Sequence, residues 1–302
     1  MTERKIYPFD IAILGYVSML SILVLIFGRP LGHYVDELLM NLIVVALVVA
    51  VIYFLHDEKR KLILFFRILY PAALFTLFYE QTGGLMQLFF PGFLDSQLIA
   101  FEKSILGVNP TFWIEQNILN VWLTEILSAT YASYYFMILM FVIFMFFKGE
   151  YRVIKKALTA ICITFFISYM LFYLYPIEGP RYFFAGQYAH DISGPVFRPI
   201  VEMFQEASVR GGCMPSSHIA VALIINIFCL IHYRRIGIVL IPINIGMALG
   251  TFYGRYHYVS DVIVGLAIGA VVAWLTLKYY DRFDKKVAEG GQPTKLKESY
   301  VS

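Results

Sequence analysis

Along the chain, eight apolar runs alternate with polar or charged stretches: residues 10–27, 37–55, 62–80, 128–147, 157–175, 219–232, 236–253 and 262–280. Runs of this length with few charges predict membrane-spanning helices, because about 20 residues at 1.5 Å rise cross the hydrocarbon core of a bilayer. A helix also satisfies its own backbone groups where no water can. The first run has no small-residue cleavage site after it and reads as a retained anchor. Residues 81–127 break the pattern. They hold Gly83-Gly84 and Pro91-Gly92, then two mixed segments, Phe93–Leu106 and Thr111–Leu127, where apolar residues recur at helical spacing between the single charges Asp95, Glu102, Lys103, Glu115 and Glu125. With Trp113 and Trp122 among them, these segments predict amphipathic helices lying on the outer leaflet and packing against the bundle, with roofing of a site as the alternative. Arg67, inside the third run, is expected to snorkel toward the adjacent basic loop, the other reading being a partner inside the bundle.

Composition agrees with that pattern. Of the 302 residues, 60% are hydrophobic and only 15% charged, which excludes an ordinary soluble domain and predicts an all-α polytopic membrane protein with about eight transmembrane helices. Cys162, Cys213 and Cys229 have neither disulfide-framework nor metal-ligand spacing. The net charge of +3 matters less than where the charges fall. Arg4, Lys5, Lys59–Lys61, Lys148, Arg152, Lys155, Lys156, Arg234, Arg235 and the basic residues after Lys278 lie on one side of the predicted bundle. By the positive-inside rule that side, with both termini, is cytoplasmic. Arg181, Arg198, Arg210 and Arg255 stand on the poor side against this bias, as they would to bind a phosphate. Asp281–Ser302 is charged and reads as a disordered cytoplasmic tail.

Candidate chemistry concentrates between Arg210 and Gly265. Gly211-Gly212-Cys213-Met214-Pro215-Ser216-Ser217-His218 precedes two apolar passes joined by the short turn Tyr233-Arg234-Arg235, and Tyr253-Gly254-Arg255-Tyr256-His257-Tyr258-Val259-Ser260-Asp261 follows them. Two passes return the chain to the side it left, so His218 and His257 can be neighbours. In helical geometry His257 and Asp261 share a face, where a carboxylate holds one ring nitrogen protonated and leaves the other as nucleophile or base. Pro215 suits a first helical turn, and the amides of Ser216, Ser217 and His218 would form a positive helix end. Arginine supplies a fork that matches phosphate oxygens. Together these features predict phosphoryl chemistry.

At these residues the chain resembles the phosphatidic acid phosphatase type 2 superfamily, whose second signature is Pro-Ser-Gly-His and whose third ends in His-x-x-x-Asp. Here they stand as Pro215-Ser216-Ser217-His218 and His257-Tyr258-Val259-Ser260-Asp261. The resemblance implies a nucleophilic His257 that forms a phosphohistidine, Asp261 as its orienting partner, and His218 as the acid that protonates the leaving alcohol. It implies phosphate binding by Arg181, Ser216, Ser217 and Arg255, a lipid phosphate or diphosphate as substrate, and no cofactor, metal or nucleic-acid partner. The first signature, a Lys seven positions before Arg-Pro, has no match. Arg181 in Glu178-Gly179-Pro180-Arg181 is taken for its arginine, ahead of Arg198-Pro199, because it directly follows an apolar run. Gly250-Thr251 stand where the third signature carries Ser-Arg, and Arg255 is the substitute.

The implied organisation is two N-terminal helices (1–61), a six-helix catalytic core (62–280) that includes the interfacial segment, and the tail (281–302). The implied activity is a membrane lipid phosphate phosphatase whose site opens to the extracytoplasmic or lumenal face. One alternative is a phosphotransferase of the inositol phosphorylceramide synthase type, which the added N-terminal helices and unusual signatures also resemble. Another is a non-catalytic membrane scaffold or transporter, opposed by the presence of both histidines and the aspartate. A cation held by His218, His257 and Asp261 is possible by ligand type but opposed by the nearby arginines.

Overall fold

The computed structural model describes residues 6–56 and 59–290. Three long helices come first: α1 (Pro8–Phe27), α2 (Tyr34–Phe54) and α3 (Lys61–Leu85). The mixed segments follow as α4 (Asp95–Leu106), α5 (Pro110–Asn117) and α6 (Val121–Ala132), and α6 runs into α7 (Tyr134–Phe147) across a 42° bend. Then come α8 (Tyr151–Leu174), the short α9 (Pro180–Phe183) and α10 (Phe197–Glu206), and finally α11 (Ser217–His232), α12 (Arg234–Tyr253) and α13 (Val259–Gly290). Among the described residues no strand forms; one isolated bridge joins Ile177 to Gly212.

The eight expected spans are all helical, but they are not alike. Six (α1, α2, α3, α8, α12 and α13) are long and apolar enough to cross a bilayer unaided, the bent α6–α7 pair is so only when its two halves are counted as one span, and α11 is apolar but shorter. The bend has a local cause. Thr130 and Ser133 each turn a hydroxyl back onto the carbonyl three residues earlier, at 2.8 and 2.6 Å, and such back-bonding competes with the helix ladder. Large apolar side chains such as Phe54, Phe136, Phe147 and Trp274 stay exposed around the bundle, as lipid-facing residues of a multi-pass membrane protein do.

α8 packs against α1, α3, α7, α11 and α13 and supplies much of the buried core. Polar contacts fasten the outer helices onto it. Asn41 of α2 donates to Ser21 Oγ of α1 and accepts from Gln81 Nε2 of α3, at 3.0 and 2.9 Å. Arg67 does not snorkel: it is 1% exposed and forms a two-pronged ion pair with the fully buried Asp10 of α1, Nη1 to Oδ1 at 3.0 Å and Nη2 to Oδ2. Tyr70 donates to the same carboxylate and the Tyr7 ring lies 4.3 Å from the guanidinium, so the buried cation is held by a carboxylate and an aromatic face. Asp10→Ala removes the two-pronged ion pair and the acceptor of the Tyr70 hydroxyl and is expected to lower stability by about 3–5 kcal/mol, read as a fall in melting temperature in detergent.

Two boundaries differ from expectation. The second mixed segment divides in two because Asn109 and Asn120 each cap a helix start, Asn109 Oδ1 accepting from Thr111 N–H and Asn120 Oδ1 from Trp122 and Leu123 N–H. At the other end α13 does not stop at Tyr280 but continues to Gly290, and Arg152 and Lys156 of α8 hold its Asp281 at 3.0 and 3.5 Å. The expected tail therefore begins as helix; residues 291–302, like Arg4 and Lys5, lie outside the described residues.

Candidate active site

Three chain segments meet at the end of the bundle where α8 and α12 finish and α11 and α13 begin. The first, after α8, reaches Arg181 through Gly179, whose φ of +95° and close approach to Cys213 Sγ (an added Cβ would sit 3.1 Å away) call for glycine. The second runs from Gly212 into α11. Its helix starts at Ser217, so Pro215 precedes the N-cap and is not in the first turn. Ser216 N–H donates to the Asp261 carbonyl at 2.9 Å, which leaves Ser217 and His218 to supply the first free amides of the helix. The third segment leaves α12 through Arg255, at φ +66°, with the Tyr256 and His257 amides both closing on the Thr251 carbonyl.

Glycines hold these starts together. A Cβ on Gly265 of α13 would fall 2.4 Å from the Ser216 carbonyl oxygen, and one on Gly269 2.5 Å from that of Ala220. The Gly-x-x-x-Gly of α13 thus seats the start of α11, and no second chain is needed to explain it.

His218 and His257 face one cavity of about 400 Å³, their ring centres 6.1 Å apart. Arg181, Ser217, Tyr182, Tyr256, Gln205 and Tyr134 share its wall. Tyr134 packs 4.4 Å from the His218 ring centre, and His218 Nδ1 is buried without a protein partner, as is Arg181 Nη1. A pocket of this size, walled by an arginine and a histidine that each keep a nitrogen without a protein partner, suits a phosphate group.

His257 Nδ1 lies 2.9 Å from the Cys213 carbonyl, which can only accept, so the nitrogen carries the hydrogen and Nε2 keeps the lone pair of the neutral ring. Asp261 Oδ2 stands farther, at 3.4 Å, and accepts the Tyr258 amide and the Cys213 thiol at 2.8 Å each. The His257–Asp261 pairing is therefore not a helix-face pairing. α13 begins only at Val259, and Asp261 reaches back from its first turn to the amide before it, half of a capping box. Cys213, His257 and Asp261 donor atoms lie within 4.8 Å of one another, a set a metal could use. Burial and the adjacent Asp261 push the Cys213 thiol well above its ordinary value, which opposes the deprotonation a metal requires, and the observed spacings are those of hydrogen bonds.

The structure does not bring every expected residue to the cavity. Arg255 turns away: its Nη2 meets Glu115 Oε1 at 3.0 Å and the His190 carbonyl at 2.7 Å, and its Cζ lies 3.6 Å above the Tyr188 ring. The left-handed turn that presents His257 aims this neighbour outward. Ser216 is fully buried beneath the cavity wall, its Oγ without a partner. Arg198 acts at one remove, donating to the Tyr256 hydroxyl at 2.7 Å and to Glu202. Burial pushes Tyr256 up to about 12, so its hydroxyl keeps a hydrogen to offer the cavity while accepting from Arg198.

Four carboxylates of the expected interfacial segments brace the first and third of the segments that meet at the site and the loop between α9 and α10, a job their sequence context did not announce. Asp95 accepts the Glu178 and Gly179 amides at 2.8 and 2.9 Å and the Tyr258 hydroxyl at 2.9 Å. Glu102 accepts the Ser260 amide, Glu115 the His190 amide, and Glu125 the amides of Val196, Phe197 and Arg198. None of these acids touches the cavity, so the segment packs and positions but does not roof the site.

Comparison with curated proteins and with solved structures returns no match. The sequence model of one family does match, over residues 96–275, a range that holds Glu102, Glu115, Glu125, Arg181, both histidines and Asp261. With more than half its length in that match, and two histidines converging on one arginine-lined cavity, the chain belongs to the PAP2 superfamily.

Proposed function

We propose that this membrane protein is a lipid phosphate phosphatase working through a phosphohistidine on His257. The observation that carries the reading is the shared cavity: two imidazoles 6.1 Å apart on a wall that Arg181 also lines, with the Arg181 Nη1 buried and without a hydrogen-bond partner. His257 Nε2 attacks phosphorus in line and the bond to the lipid oxygen breaks as His218 gives that oxygen its proton. Arg181 and the amides at the start of α11 neutralise the equatorial oxygens. Water, giving a proton back to His218, then attacks the phosphohistidine and releases phosphate and free His257. Asp261 is the orienting partner, through the shared contacts around Nδ1. The basic residues at the opposite end of the bundle, among them Arg152, Lys156, Arg234 and Arg235, support a cavity on the extracytoplasmic side. We further take α3 to α13 as the six-span catalytic core, to which α1 and α2 are added.

A second reading has its own support. Around His218 the wall is rich in hydroxyls and amides from Tyr131, Tyr135, Tyr182, Tyr256 and Gln205, which suits an alcohol-bearing acceptor that would replace water. Purified protein incubated with phosphatidate, with and without inositol, separates the two. Release of inorganic phosphate supports hydrolysis, formation of inositol phosphate in its place supports transfer of the phosphoryl group to the alcohol, and neither product returns the chain to the scaffold alternative.

A further inference from the structure

The cavity does not end at the histidines. It continues into the bundle between α3 and α7, walled by Ala72, Phe75, Ile138, Leu139 and Phe165. A second cavity of about 600 Å³ lies beyond, bounded by Leu55, Phe66, Leu69, Tyr70 and Ala73, and Ala72 and Leu139 line both. Its one polar side chain, Tyr70, turns its hydroxyl to Asp10, so nothing polar is left to face an occupant. From Tyr79, beside the polar end, to Phe66, α3 runs about 20 Å at 1.5 Å per residue. Phe66 and Leu139 are 52% and 42% exposed on the lipid-facing surface, so the slot opens sideways toward the bilayer.

We propose that this slot holds one hydrocarbon chain of the substrate, threaded past Ala72 and Leu139 while the phosphate sits at Arg181 and His257. The proposal rests on the lipid-phosphate reading above and adds to it where the chain goes. Its argument is adjacency: the apolar arm of the site cavity and the second cavity share Ala72 and Leu139 as a wall, and together they lead away from where the charged group must sit. Lipid tails are as apolar as the slot, so moving a chain from the bilayer into it brings little hydrophobic gain. Its effect is orientation, since a chain fixed in the slot sets the approach of its own phosphorus to His257 Nε2. The narrowing at Ala72 then makes chain length and bulk a determinant of turnover.

The test compares dioleoyl and dihexanoyl phosphatidate in mixed micelles, for the wild type, Ala72→Phe and Leu139→Ala. Filling the narrowing with Phe is expected to lower kcat/KM for the long-chain lipid by about 10-fold or more and to leave the short-chain lipid within a factor of two. Leu139→Ala widens the passage and is expected to raise kcat/KM for a branched-chain phosphatidate relative to the straight-chain one. In a separate arm, a phosphatidate with a diazirine on one acyl chain is photolysed on the wild type, and labelling between Phe66 and Ala73 or at Leu139 is expected. Equal loss on both lipids in Ala72→Phe, no change in either variant, or label found only outside α3 and α7 overturns the slot. If the wild type hydrolyses neither lipid the phosphatase reading fails, and the labelling arm still decides whether a chain occupies the slot.

Discussion

His257→Ala is expected to lower kcat/KM for lipid-phosphate hydrolysis by a factor on the order of 10⁴ or more and to abolish the covalent phosphoenzyme, whereas His218→Ala accumulates it. The two histidines have different surroundings. Nδ1 of His257 is committed to the Cys213 carbonyl, so the free lone pair is on Nε2. His218 has a buried nitrogen with no protein partner and a ring wedged beside Tyr134, which fits a proton carrier more than a nucleophile. With a substrate whose leaving group needs no proton, such as p-nitrophenyl phosphate, His218→Ala removes little from the first step and most of the help to water in the second. Acid-labile, alkali-stable label from ³²P substrate, quenched within one turnover, reads the difference. Label persisting in His257→Ala would move the nucleophile elsewhere and sink the proposed mechanism.

Fold and family are legible because they depend on local signals. Eight apolar runs become helices whatever their neighbours do, and the Pro-Ser-x-His and His-x-x-x-Asp spacings survive in a linear reading. What was not legible depends on pairings across long separations. Arg67 looked like a snorkelling residue because its basic neighbours are close in sequence, while Asp10, the group that holds it, is in another helix. Arg255 looked like a phosphate ligand because it stands two residues before His257. A left-handed residue reverses direction there, and Glu115 was available to receive it. The His257–Asp261 spacing reads as a helical face, but the helix starts between them, so Asp261 caps α13 and the Cys213 carbonyl holds the His257 Nδ1 hydrogen. Cys213 carried no sequence signal at all. Its carbonyl and thiol matter only because Gly179 and the Ile177–Gly212 bridge bring its loop against His257.

The four carboxylates are the largest such omission, and Asp95 is the one on which a test can turn. It is fully buried and takes three hydrogen bonds from two different segments, joining the turn that carries Arg181 to the residue after His257. Asp95→Ala leaves two amides and a hydroxyl without an acceptor, at about 1–3 kcal/mol for each group that water cannot reach. Displacement of Arg181 or His257 by about an ångström is expected to lower kcat/KM by about 10²-fold, with kcat falling alongside it, because the phosphate oxygens press on Arg181 hardest in the transition state. Tyr258→Phe severs only the link to the third segment and is expected to lose less than Asp95→Ala, while Asp95→Asn, which keeps one carbonyl acceptor but adds donors facing donors, falls between them. A general loss of stability is separated from misplacement by Asp10→Ala, which breaks a buried pair in a different part of the bundle. That variant is expected to melt earlier yet keep kcat/KM near the wild-type value in its folded fraction. If Asp95→Ala retains kcat/KM within about threefold, or if Asp10→Ala loses as much, the brace positions nothing and Asp95 is a structural residue only.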